Sequence, residues 1–357
     1  MRIFLFLLLI SLSLFSYDRD TLFKMIGNML IVGFEGEKLP KEIKDDILKY
    51  HLGGVILFDR KGGKVKNIKN PSQLKRLNED IKKTALKAGY KILICVDEEG
   101  GRVQRLKKEG FVNTPSAFYI GKKDNLKYTK TVYEKLSKEL FDNGFNCDFA
   151  PVVDIAVNPK NKVIVKAKRS YGNLKRVIRH SEIFIKALKK RGIVSVLKHF
   201  PGHGSSFGDT HRGFVDVTKS WRKEELLPYS YFIRKNLTDM IMIAHIYNKK
   251  LDKKYIATFS SKIKEDLLRK KLGFKGVIVS DDMQMKAVSR YWSLKDALTL
   301  AINSGTDMLI FANQGKYDIK VSEIVDIVYN QILNGKIKID RIIEANKKIK
   351  RLKKSIK

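Results

Sequence analysis

Eight short apolar runs recur along this chain, and a segment of helical character follows each of them. They cover residues 29–34, 54–58, 92–96, 145–154, 193–197, 239–245, 275–280 and 306–311. The runs are continuous rather than alternating, which predicts strands buried on both faces, and that is the pattern of a parallel sheet covered by helices. Helical spacing appears between them. Pro71 and Ser72 open a helix to about residue 88 with Leu74, Leu77, Ile81 and Leu86 on one side, and Ser260 or Ser261 caps one that stops at Gly273. Other helices are expected near Pro40 and over 128–143, 174–190, 223–235, 294–303, 321–333 and from 340 onward. Eight strand–helix units in about 300 residues predict closure as an α/β (β/α)8 TIM barrel. An open doubly wound sheet is the competing architecture, but no glycine-rich dinucleotide fingerprint follows the first run. No linker or break in composition interrupts the pattern, so 18–357 reads as a single domain.

The first residues carry a different message. Arg2 precedes an apolar stretch, Ile3 to Ile10, and a Ser/Leu segment ending at Ser16. This is the layout of an export signal over residues 1–17, and an uncleaved inner-membrane anchor is the alternative. Export would place the chain in the periplasm or at the cell surface. The formal charge of +34 fits nucleic acid, an acidic lipid surface or an anionic cell-wall polymer. The lysines are spread throughout and no nucleic-acid module accompanies them, so solvated faces are the simpler reading. Cys95 and Cys147 each sit inside an apolar run and read as small core residues rather than a disulfide.

In a barrel of this kind the chemistry collects where strands end. The segment Lys198 to His211 follows the fifth run and holds three of the six histidines, a lysine and Asp209. Asp97 follows the third run, Asp154 the fourth and Asp281 the seventh, and His245 ends the sixth. His199 and His203 have ligand-like spacing, but they lie in a Pro/Gly loop without a supporting thiolate or HExxH pattern, which argues against a metal. Acid/base and nucleophilic chemistry fits better. Asp281, beside an apolar strand, has the character of a nucleophile or a stabiliser of positive charge. Asp209, two residues before His211, can orient its imidazole and fix the tautomer. His203 reads as a residue that shapes the loop.

Taken together, Lys198-His199-Phe200-Pro201-Gly202-His203-Gly204 with Asp209-Thr210-His211 resembles the signature of family 3 glycoside hydrolases, in its branch of exo-acting β-N-acetylglucosaminidases. The resemblance extends to Asp97 through Arg105, to the segment from Phe149 to Asp154 with Asn158-Pro159 and Arg169-Ser170, and to Ser280-Asp281-Asp282-Met283. It implies a retaining double displacement with Asp281 as nucleophile and His211, oriented by Asp209, as acid/base. Imidazoles titrate near neutrality without burial, which suits that role. The resemblance further implies that Asp97, Arg105, Arg169, Lys198 and His199 hold sugar hydroxyls and the N-acetyl group, although Arg105 could instead be a structural ion-pair partner. No cofactor is implied. The expected partner is a saccharide or muropeptide containing GlcNAc, with electrostatic association with an anionic wall, no nucleic acid, and a monomeric chain. The alternatives are a family 3 β-glucosidase, an N-acetylglucosaminide phosphorylase, and a non-catalytic wall-binding protein.

Overall fold

The computed structural model describes residues 17–107 and 110–356, so the expected export segment lies outside the described residues. The eight apolar runs form eight parallel strands: β1 (Leu30–Gly33), β2 (Gly54–Ile56), β3 (Leu93–Val96), β4 (Cys147–Asp148), β5 (Val194–Phe200), β6 (Met240–Ile243), β7 (Val277–Asp282) and β8 (Met308–Phe311). Each pairs with the next in sequence, and β8 returns to pair with β1, closing the barrel. Leu30 lies opposite Leu309 and Ile31 opposite Gly54, which sets the closing register. Side chains pack on both faces of the strands, so β3 is completely buried, as a continuous apolar run requires. Cys95 and Cys147 face each other across β3 and β4 as free, buried thiols.

Helix ends follow local chemistry. Asn70, Asn125, Asn173 and Ser293 each cap a helix by accepting a backbone N–H three residues on. The helices Leu174–Lys190, Leu294–Asn303 and Val321–Leu333 begin and end where the sequence pattern puts them. Where the strands begin, Asp307 accepts from the Ile278 amide and pairs with Arg269, Arg341 and Lys348. These contacts tie helices 262–271 and 339–353 to the sheet.

Several boundaries differ from the sequence expectation. The fourth run pairs as a continuous strand only over Cys147–Asp148, because Pro151 lacks an N–H, although Val152 and Val153 still bridge to Lys198 of β5 beyond it. By contrast β5 continues through Phe200 and β7 through Asp282, so Lys198, His199 and Asp281 project from strands rather than from the loops after them. The expected helix 223–235 is a tight turn, Lys223–Leu226, followed by Leu227–Arg234 with Pro228 in its first turn. Helices Arg19–Gly27 and Ala117–Lys123 and the short hairpin Arg60–Lys61/Lys64–Val65 are additions. The hairpin turns on Gly62 and Gly63, both with positive φ.

Candidate active site

At the ends of the strands a cavity of about 350 Å³ opens, and Asp97, Arg105, Arg169, Lys198, His199, His211 and Asp281 all line it. Asp209 stands just behind, bonded to His211. The eight residues singled out in the sequence therefore meet, although the first and last are almost two hundred positions apart.

One wall is a compact ion-pair cluster. Lys198 is 2% exposed, and its Nζ lies 2.7 Å from both Asp97 Oδ1 and Glu99 Oε1. Arg169 grips Glu99 with two parallel bonds, Nε to Oε2 at 2.8 Å and Nη2 to Oε1 at 2.7 Å. Burial would raise the Glu99 carboxyl, but Arg169 and Lys198 hold it far below the usual carboxylate range. For Lys198, burial works against the ammonium and is outweighed by Asp97 and Glu99, so its pKa is raised. Arg105 approaches Asp97 at 3.7 Å and Asp59 at 3.9 Å, with its guanidinium 5.2 Å from the Phe58 ring centre. It is both a lining residue and an ion-pair partner.

The second wall depends on Asp154, which is buried beneath β5. It accepts from His199 Nδ1 at 2.7 Å and from the His203 amide at 2.8 Å. The first bond puts the proton of His199 on Nδ1 and leaves Nε2 as an acceptor toward Arg169 Nη2 at 3.4 Å. Against burial, His199 and His203 keep the Asp154 carboxyl low. His203 is buried, with Nδ1 on Ser206 Oγ at 2.7 Å and Nε2 without a partner among the described residues. Burial, followed by the neighbouring His199, pushes its imidazole down to about 4.

The loop after β5 has a clamped half and an exposed half. Asn161 Nδ2 donates to the His203 carbonyl at 2.8 Å, Asn158 Nδ2 to that of Ser206 at 2.9 Å, and Trp221 Nε1 to that of Pro201 at 3.0 Å. Gly204 lies so close to the next loop that a Cβ would stand 1.8 Å from the Ile155 carbonyl oxygen. From Phe207 onward the loop reaches the surface, and the His211 side chain is 66% exposed. Asp209 Oδ1 accepts from both the His211 amide and its Nδ1, each at 2.9 Å. This pair of bonds leaves Nε2 as the free end of the imidazole. Thr210 anchors the turn by accepting from the Ala287 amide at 3.1 Å.

Asp281 completes the floor. Among the described residues the one hydrogen bond to its carboxylate comes from the Asp282 amide at 2.8 Å. Burial raises its carboxyl, but the imidazoles of His245, His199 and His211 outweigh that and hold it at about 2. The neighbouring Asp282 moves the other way, to about 6, because burial dominates and Asp281 repels its charge. Two adjacent carboxyls are thus separated in acidity, and only Asp281 stays firmly ionised at moderately acidic pH. His245 fixes this corner by donating Nε2–H to the Asp282 carbonyl at 2.9 Å while Nδ1 meets Thr258 Oγ1 at 2.6 Å.

Sequence reasoning left out Glu99, placed Asp154 and His245 at strand ends without assigning them work, and missed Arg60 and Gln314 in the lining. Glu99 had a signal, the run Asp97-Glu98-Glu99, but nothing in that run says which carboxylate faces Arg169. Gln314 follows Ala312 and Asn313, whose carbonyls are held by the buried Lys66 ammonium at 2.9 and 2.7 Å. No local pattern announces such a contact.

Comparison with known proteins identifies the family. The family described as glycosyl hydrolase family 3 N terminal domain matches residues 21–352. Beta-hexosaminidase A of Pseudoalteromonas piscicida is 31% identical over 323 residues, a match covering 83% of this chain and 53% of that protein. Beta-hexosaminidase of Psychromonas ingrahamii is 33% identical over 291 residues, covering 80% of this chain and 82% of that protein. A solved glycoside hydrolase family 3 beta-N-acetylglucosaminidase from Paenibacillus sp. superposes with a TM-score of 0.85 at 27% identity, covering 95% of this chain and 63% of that one. The chain thus spans about half the length of the first of these relatives and most of the second.

Proposed function

The chain belongs to glycosyl hydrolase family 3, and from that premise we propose that it is a retaining β-N-acetylhexosaminidase that removes terminal N-acetyl-β-D-glucosamine. The observation that carries the reading is the pairing, in one cavity, of an ionised carboxylate on a strand with a carboxylate-oriented imidazole on a loop.

In this reading the Asp281 carboxylate attacks the anomeric carbon as the bond to the leaving oxygen breaks, and His211 gives that oxygen its proton. His211 then takes a proton from water, which attacks the glycosyl ester and frees both the sugar and the Asp281 carboxylate. Asp209 keeps the imidazole aimed through both steps by holding Nδ1. Lys198, Asp97, Arg105, Arg169 and His199 hold the sugar, and the free Nε2 of His203 offers one more hydrogen bond. The beta-hexosaminidase relatives support GlcNAc as the sugar. A peptidoglycan fragment met after export is the natural substrate in this reading, in keeping with the apolar N-terminal stretch and the basic chain.

The test is hydrolysis of an aryl N-acetyl-β-glucosaminide by the purified protein. Asp281→Ala is expected to lower kcat by at least about 10³-fold. Trapping with a slow fluorinated glycoside is expected to add one sugar to the peptide containing Asp281. A variant that retains activity refutes the nucleophile assignment. Faster turnover of the glucoside, or dependence on phosphate, would replace the reading with a β-glucosidase or a phosphorylase.

A further inference from the structure

At the opposite end of the barrel, where the strands begin, there is a second hollow of about 740 Å³. It lies among the start of β1, the turns before β2 and β3, and the end of helix Ile339–Lys353. Lys24, Lys91, Lys347, Lys350, Lys353 and Lys354 line it, together with His51, and no carboxylate does. Two of these lysines build the floor. Lys353 Nζ donates to Asn28 Oδ1 at 2.6 Å and stands 5.2 Å from the Tyr90 ring centre, and Lys91 Nζ donates to the Ile356 carbonyl at 2.7 Å. His51 stacks on the other part of that wall, 4.7 Å from Tyr90. Lys24, Lys347, Lys350 and Lys354 are exposed at the rim, and among the described residues none of the six pairs with a carboxylate. Lys41, Lys61, Lys138 and Lys186 are among the lysines elsewhere that do.

We propose that this lysine-lined hollow is a docking surface for an anionic phospholipid bilayer, holding the protein with its active site facing away from the membrane. Charge is the first argument, since a cluster of unpaired cations without acids is what an anionic headgroup layer attracts. Connectivity is the second, and it selects a membrane over a soluble polymer. Helix Arg19–Gly27 supplies Lys24 to the rim, and only Tyr17 and Asp18 separate that helix from the apolar stretch ending at Ser16. Two residues span at most about 7 Å. Lys24 lies five residues further along the helix at about 1.5 Å each, so the rim stands within roughly 15–18 Å, about two Debye lengths at physiological salt, of any bilayer that the apolar stretch enters. The docking rests on the apolar stretch being kept as an uncleaved anchor, which with a basic patch beside it supplies the two signals that stable attachment requires. The third argument is orientation. The sugar cavity opens at the strand ends, so contact through the strand starts leaves it clear.

The test uses the full chain and vesicles of phosphatidylcholine, with and without phosphatidylglycerol. One variant combines Lys24→Gln, Lys347→Gln, Lys350→Gln and Lys354→Gln. A charge-matched control combines Lys249→Gln, Lys250→Gln, Lys253→Gln and Lys254→Gln, all exposed and on the loops after β6. At about five-fold per lysine near a charged surface, the first variant is expected to lose at least about ten-fold in partitioning onto phosphatidylglycerol vesicles. It should match the unaltered protein on neutral vesicles, while the control keeps its phosphatidylglycerol binding. Equal loss in both variants, or none in the first, overturns the proposal. Capture of soluble polyphosphate through the same lysines, with no response to phosphatidylglycerol, overturns it in favour of a soluble polyanion. The vesicle readout is independent of hydrolysis, so failure of the proposed activity leaves this test intact.

Discussion

Glu99 holds two buried cations together, and Glu99→Gln removes its charge while keeping its shape. The variant leaves Arg169 with a neutral partner and Lys198 with Asp97 alone, in a cluster where Lys198 is 2% and Glu99 4% exposed on the side chain. Breaking one partner out of a buried pair costs about 3–5 kcal/mol, because the surviving charge remains desolvated. At roughly 2 °C per kcal/mol for a chain of this length, the expected fall in Tm is up to about 10 °C. The effect carries a pH signature. Glu99 has a depressed folded pKa, so its contribution is fully present above the unfolded carboxylate value of about 4.3 and is lost as pH falls through the folded value. Urea unfolding of both proteins at pH 7 and at pH 3.5 measures this directly. The gap should narrow by about 1 kcal/mol at the lower pH, at 1.4 kcal/mol per unit below the unfolded pKa. KM for the aryl GlcNAc substrate should rise as Arg169 and Lys198 lose their fixed positions. A gap of less than about 1 kcal/mol, or one that stays constant with pH, would refute the charge argument and leave only packing.

Other outcomes follow from the same geometry. His211→Ala should lower turnover by about 10²–10⁴-fold for substrates with a poor leaving group and much less for an activated aryl glycoside, a difference read from kcat on the two substrates. Asp307→Asn leaves Arg269, Arg341 and Lys348 without their common anion at the strand starts, so Tm should fall while KM and kcat stay unchanged. Glu98 is pushed up to about 8 by burial and accepts the Arg105 and Leu106 amides, so folding stability falls as pH rises from about 4.5 to 8. Glu98→Gln should flatten that decline in chemical denaturation measured across the range. Gly204→Ala forces a Cβ against the Ile155 carbonyl and should displace the loop after β5, read as lost activity greater than the loss in Tm would explain.

The barrel was legible because a strand covered on both faces leaves little choice of side chain, and its apolar run stands out without any knowledge of its partners. The same logic exposed Asp97, Lys198, Asp281 and His245, since a polar residue that interrupts such a run at its end has a reason to be there. Direction was not legible. Asp97, Glu98 and Glu99 are consecutive acids with separate tasks: the first meets Lys198 at the cavity, the second caps the amides of Arg105 and Leu106, and the third locks Arg169. Their tasks are set by local backbone turns and by residues seventy to a hundred positions away. Arg60 escaped notice for a related reason, because the hairpin that carries it is two residues wide on each side and depends on Gly62 and Gly63. Lys66 looked like one surface lysine among many, yet it is buried against two carbonyls. The early end of β4 follows from Pro151, whereas the extension of β5 and β7 rests on pairing with neighbours that no single segment reveals.

The division of the loop after β5, with one half stapled to its neighbours and the other half at the surface, bears on how such a protein can change over generations. Asp281, Lys198 and His199 sit on strands, where substitution disturbs the barrel itself. His211 and Asp209 sit on a surface stretch tied to its surroundings through Thr210 and Gly208, and their own side chains are less enclosed than those on the strands. Selection can therefore rework the Asp209–His211 side of the cavity while the fold holds the Asp281 and Lys198 side in place.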